Sequence, residues 1–216
     1  MALIFPYSLA FFSDTARILR TDLDLRRFDE TSGGGDGRFW SAQMATPLWA
    51  ADVTLAAMDA RYAREFSAKV KGLDGARNSF LFADQTYAGP ASGVTTGLGA
   101  VTISAISADR GSINVTGLPE GFALTAGDRF SVTYQSGARY FFGEFSENGV
   151  AGRGGSFGAV RPIRPYLPLG VAVGAAVELV KPRFKAMIQP GGWTPFTYEL
   201  PGDIATGASM RILQRP

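Results

Sequence analysis

The pentapeptide GGSFG, Gly154 to Gly158, has the G-x-S-x-G spacing of a nucleophile elbow. In an elbow the serine sits on a tight turn between a strand and a helix, with a base beside its hydroxyl. The chain contains no histidine to serve as that base. Pro162, Pro165 and Pro168 break the segment where the helix would run. A serine–lysine arrangement fares no better, because the lysines lie far off at 69, 71, 181 and 185. Carboxylates are the remaining acid–base candidates: Asp22 with Asp24, Asp29 with Glu30, and Glu144 with Glu147. A glycosidase needs two carboxyl groups about 5–9.5 Å apart across a cleft, and chain spacing alone does not supply that. Glu144 and Glu147 stand beside Phe142 and Phe145. One reading is therefore a partner-docking or carbohydrate-binding patch that uses Tyr140 and Phe142. The ordinary reading is a strand end with solvated acids.

The absence of histidine and cysteine removes zinc sites, thiolate nucleophiles and disulfides. No loop has the ligand spacing of a calcium hand. No catalytic, metal or cofactor residue is expected, and the chain reads as a non-enzyme. Lys and Arg total 21 against 19 Asp and Glu, so no basic footprint for nucleic acid stands out. The opening MALIFPYSLAFF is apolar but lacks a basic flank, is interrupted by Pro6 and is too short to span a bilayer. It reads as an arm or strand that docks on the body or on a neighbouring subunit, with Phe11 and Phe12 as candidate interface residues. No membrane insertion is expected.

The elements that must position these residues are mostly strands. LRTDLDLRRF, residues 19–28, alternates: Leu19, Thr21, Leu23 and Leu25 face one way, and Arg20, Asp22, Asp24 and Arg26 the other. Period-two alternation marks a half-buried strand. The mixed-charge row is either solvated or a subunit interface in which complementary charges set the register. TSGGGDG (31–37) is a hairpin tip between this strand and RFWSAQM and LWAADVTL. The period then changes. Asp59 can cap a helix over about 59–71, with Tyr62, Phe66 and Val70 on its buried stripe and Gly72 as a left-handed cap. The residues ahead of it, VTLAAM, lack the glycines of a phosphate cradle. The helix reads as a brace packed on a sheet.

From about Tyr87 to Val180 there is no lysine, charges balance, and glycine recurs every few residues. Short strands fit AVTISAI, SINVTGL, DRFSVTY, RYFFGEF, FGAVRPI and AAVELV, with turns at Arg110-Gly111, Gly127-Asp128 and Ser136-Gly137. RFKAMI, FTYEL and MRILQ close the chain. The expected fold is mainly β with one helix. A β-sandwich or barrel domain (1–86 plus 182–216) carries a second small β-barrel or sandwich inserted at 87–181; two consecutive domains are the alternative. In GARYFFGEF, Phe141 points opposite to Tyr140 and Phe142. Either this strand is buried on both faces, or one aromatic row is exposed for assembly.

The succession WAADVTLAAM, a helix closing on KGLDG, and SFLFAD…GP resembles the front half of a family of tail-tip proteins from long-tailed bacteriophages and gene transfer agents. VTGLPEGFALTAGDRFSVTY, GARYFFGEF and RPIRPYLP…GAAVELVKPRFKAMI are similar to that family's inserted β-domain. The resemblance covers about Trp40 to Gln189 and rests on loose patterns of turns and aromatics. The N-terminal arm and the GGGDG loop depart from the pattern. The resemblance implies a distal tail protein, a structural component of the virion. By that resemblance its tail-tube-like domain is expected to form a ring, a homohexamer, at the tail tip. That ring would join the tail tube protein to hub or baseplate and fibre proteins, with DNA passing through it. The alternatives are a carbohydrate-binding host-recognition module and a carboxylate-based cell-wall glycosidase.

Overall fold

The computed structural model describes residues 3–35, 37–199 and 203–216. Met1, Ala2, Asp36 of the expected hairpin tip and Leu200 of FTYEL lie outside the described residues. In chain order the elements begin with β1 (Ile18–Gly33), β2 (Phe39–Leu55), β3 (Met58–Asp59), α1 (Ala60–Gly72) and β4 (Phe80–Phe82). Then come β5 (Thr102–Ile106), β6 (Ser112–Thr116), β7 (Ala123–Leu124), β8 (Arg129–Tyr134), β9 (Arg139–Phe145), β10 (Gly149–Val150), β11 (Arg161–Arg164) and β12 (Val177–Glu178). The last are β13 (Phe184–Thr194), β14 (Thr197–Glu199), β15 (Ile204–Thr206) and β16 (Ser209–Gln214). The protein is mainly β, with one α-helix among the described residues.

A five-stranded antiparallel sheet runs β1-β2-β16-β13-β4. Its inner face is an alternating set: Trp49, Ala51, Val53 and Leu55 on β2, Phe184, Ala186 and Ile188 on β13, Met210 and Ile212 on β16. Helix α1 lays Ala63, Phe66 and Val70 on this core, and the Asp59 carboxylate accepts the Arg61 amide at 2.7 Å to cap it. Tyr62, expected on the stripe, is exposed. Steps of four residues advance 400° and drift round the helix, whereas 63, 66 and 70 stay on one side. Tyr62 lies instead under the Arg17 guanidinium, 5.5 Å from the ring centre.

Two further expectations shift. Gly72 is not the left-handed cap; Asp74 (φ 54°) and Gly75 (φ 66°) take that conformation. Gly72 is the last helical residue, and a Cβ there would stand 2.6 Å from the Tyr7 hydroxyl. Leu19 is exposed, because an irregularity between Ile18 and Arg20 breaks the alternation and leaves Ile18 against the core. Thr21, Leu23 and Leu25 keep their half-buried row.

The second core lies within β5 to β12. The sheet order β12-β8-β9-β11-β6-β5 closes on itself, since Thr102 bridges Ala176 and the Val177 amide donates to the Val101 carbonyl at 2.9 Å. Closure leaves the barrel no long open edge. Ile103, Ile113, Val115, Phe130, Val132, Phe145 and Ile163 fill it. The buried Asp128 side chain fixes its entrance, accepting the Ala91 and Thr125 amides at 2.8 Å each.

Strand β9 joins the two cores. Phe141 and Phe145 face the barrel interior, while Phe142 faces the first core, 5.2 Å from Trp49 and 5.1 Å from Phe184 between ring centres. The Trp49 indole N–H donates to the Phe142 carbonyl at 2.9 Å. Of the two readings of GARYFFGEF, burial on both faces is the observed one. Beside this seam Arg129 meets the Asp84 carboxylate at 2.6 Å, and the Tyr87 hydroxyl accepts the Arg129 amide at 3.1 Å. Burial pushes the Tyr87 phenol up to about 12.

Candidate assembly surfaces

Strands β1 and β2, of 16 and 17 residues, are far longer than the common strand of about 5–6 residues. Their partners are not. β16 pairs with β2 only from Ala50 to Thr54, and β1 is the sheet edge. Beyond Trp49 the two strands continue as a two-stranded ribbon, and every described residue from Asp29 to Thr46 is exposed. The ribbon end carries Phe39 (82% exposed), Trp40 (69%) and Met44 (66%). A free ribbon with two open edges and bare aromatics invites pairing with another chain.

The ribbon's two faces differ. Asp29 pairs with Gln43, Glu30 with Ala42 and Ser32 with Trp40 across the strands. Directly opposed residues share a face and successive ones alternate. Glu30, Ala42, Ser32 and Trp40 therefore stand on one face, with Arg27, Asp29 and Gln43 on the other. On that second face Arg27 meets Asp29 at 2.7 Å, a pairing that raises the guanidinium above its ordinary value.

At the ribbon base, next to the barrel, lies a groove of about 530 Å³. Leu25 and Pro47 form one wall, and the loop after β11, with Tyr166, Leu167 and Leu169, forms the other. Tyr166 and Leu169 are 56% and 88% exposed. Arg164 stands at the rim, its guanidinium 5.2 Å from the Tyr166 ring centre.

The outer face of the five-stranded sheet carries the expected charge row. Arg20 meets Asp22 at 2.8 Å; Asp22 stands opposite Asp52; Arg211 meets Asp52 at 3.1 Å from the other side. Asp22, Asp52 and Arg211, with Asp24, Arg26 and Ala50, line an open depression of about 420 Å³. The charges are of both signs and exposed, so each pair contributes little on its own.

The other expected residues are redistributed. Phe12 is fully buried, stacked on Phe66 at 5.0 Å and tilted against Phe80 at 4.5 Å between ring centres, and belongs to the core rather than an interface. The arm docks on its own body, since the Tyr7 amide donates to the Ser79 carbonyl at 3.0 Å and Tyr7 bridges Phe80. Phe11 remains partly exposed with Lys69 over its ring. Phe142 is 1% exposed and serves no docking patch; Tyr140, half-buried, is the only one of that pair near solvent. A second layer of structure covers each displaced ring, which alternation along one strand does not reveal.

The candidate chemistry disperses as well. Ser156 sits in a loop between β10 and β11 with no helix behind it. Glu147 pairs with Arg161 at 3.6 Å, while Glu144 lies at the seam. Burial raises the Glu144 carboxyl above its ordinary value, with Arg129 opposing and Asp24 reinforcing the shift. Among the described residues no cluster of three or more carboxylates could hold a metal, and no helix is long and apolar enough to cross a membrane. No protein-family model matches the chain, and no curated protein matches it.

Proposed function

We propose that this chain is a structural component of a viral tail tip, of the distal tail type, which works by joining copies of itself into a ring. The observation that carries the reading is the β1–β2 ribbon, which projects about 26 Å past the sheet with Phe39, Trp40 and Met44 bare. A projection of this kind gains its stability from a neighbour. Contacts between different surfaces of identical copies close into rings when the rotation allows. The resemblance described above sets the setting: a six-membered ring in the virion, linking tail tube to hub or baseplate and fibre proteins, with DNA in transit. The charge row Arg20, Asp22, Asp24 and Arg26, continued by Asp52 and Arg211, suits either an interface or a channel wall. Each engaged cation on such a wall would add phosphate affinity, and here Arg20 and Arg211 each stand beside an acid.

Glycan docking through Tyr140 and Phe142 has less support, because Phe142 is sealed in the first core. Light scattering after size exclusion, with negative-stain imaging, tests the assembly reading on the full chain. Rings of uniform copy number are expected, alone or on addition of tail-tube and hub proteins. A chain that stays monomeric at high concentration and ignores both partners would overturn it.

A further inference from the structure

We infer that the ribbon tip of one copy seats in the ribbon-base groove of the next, with Trp40 entering between Tyr166 and Leu169 and Glu30 meeting Arg164. The inference deepens the ring reading and rests on it, and commits to a second copy of this chain as the occupant.

Three features of the molecule favour that occupant. First, the two surfaces match in chemistry. Ser32 stands opposite Trp40 and Glu30 opposite Ala42, so Glu30 and Trp40 are diagonal neighbours on one face and present a carboxylate beside an indole. The groove offers the complement, apolar walls from Leu25, Pro47, Leu167 and Leu169 with the exposed Arg164 at the rim. The Arg164 guanidinium already lies over Tyr166 and donates to the Ile163 carbonyl at 2.8 Å, which holds it in place at the mouth.

Second, the tip cannot reach its own groove. Arg27 and Gln43 help line the groove, and Trp40 stands three residues farther out on the opposite face of the ribbon. A paired ribbon extends at about 3.3 Å per residue and does not double back on itself. Third, tip and groove are different surfaces, so the contact can run head-to-tail and repeat around a ring; the crosslinked ladder below separates that from a reciprocal dimer.

The chain has no cysteine, which permits a direct test. Trp40→Cys in one sample and Leu169→Cys in another are mixed at equal amounts and treated with a short bismaleimide. The expected product is a crosslinked dimer at twice 23.0 kDa, formed in the mixture well above either variant alone. The doubly substituted chain should give a ladder that ends at the copy number of the ring. Charge reversal provides the second arm. Glu30→Arg or Arg164→Glu should weaken assembly by about tenfold or more, and the double reversal should restore it. Circular dichroism checks that each variant is folded, as expected for side chains on the exposed ribbon and rim.

The outcomes separate the two claims. Wild-type assembly with no mixed crosslink, or with assembly unmoved by both reversals, would overturn the tip-in-groove contact and leave the ring reading standing. A wild-type chain that never assembles overturns both.

Discussion

Glu144 shows how a single side chain at the seam reports on the whole. Its carboxyl is half-buried beside Phe142, and burial raises its titration above the ordinary value despite Arg129. A carboxyl that holds its proton more tightly in the fold than in the unfolded chain stabilises the fold below the unfolded value of about 4.3. That contribution is lost as pH rises through the raised folded value. Glu144→Gln, neutral at every pH, should therefore melt higher than the wild type at pH 7, with the gap closing below pH 4. Thermal melts across pH 3–8 measure it, and a variant that melts lower at pH 7 would contradict the sign. The seam position of Glu144 and Phe142 was not legible in the sequence. Alternation told that Phe141 and Phe142 part company, but not that a second core waited on the far side. Phe12 was misplaced for the same reason, whereas Arg20, Asp22, Asp24 and Arg26 were read correctly as an exposed row, since nothing apolar interrupts them.

Among the elements, α1 was the most legible: the change of period, the Asp59 cap and the stripe through Phe66 and Val70 all stand in the structure. Its end was misread because Gly72 looks like a cap and is a point of close approach. That difference has a measurable sign. Alanine is the better helix former by about 1 kcal/mol, so Gly72→Ala in a free helix end would stabilise. Here the new Cβ would meet the Tyr7 hydroxyl at 2.6 Å, and that buried hydroxyl has no hydrogen-bond partner. Gly72→Ala should lower the melting temperature, and adding Tyr7→Phe should recover most of the loss. Recovery failing in the double variant would place the clash elsewhere. The ribbon was the element least visible beforehand. RFWSAQM has a strand's composition, but where a strand's partners stop is a property of β16, more than a hundred residues later in the chain.

At the scale of the whole molecule, the mainly β class and a small barrel or sandwich were readable from glycine-punctuated short strands; the choice between those two was not, because it depends on the pairing of Thr102 with Ala176. Two cores joined by Trp49, Phe142 and Phe184 should unfold together. Phe142→Ala removes the shared ring, at about 3–5 kcal/mol for a buried phenylalanine. Calorimetry at fixed protein concentration should show one transition for the wild type and two, the earlier well below it, for the variant. A single transition at the wild-type temperature would mean that the seam does not couple the cores. The same seam has a mechanical consequence. Because β9 gives a row of rings to each side, tension applied to the barrel reaches the five-stranded sheet through a riveted joint as well as along the two peptide crossings.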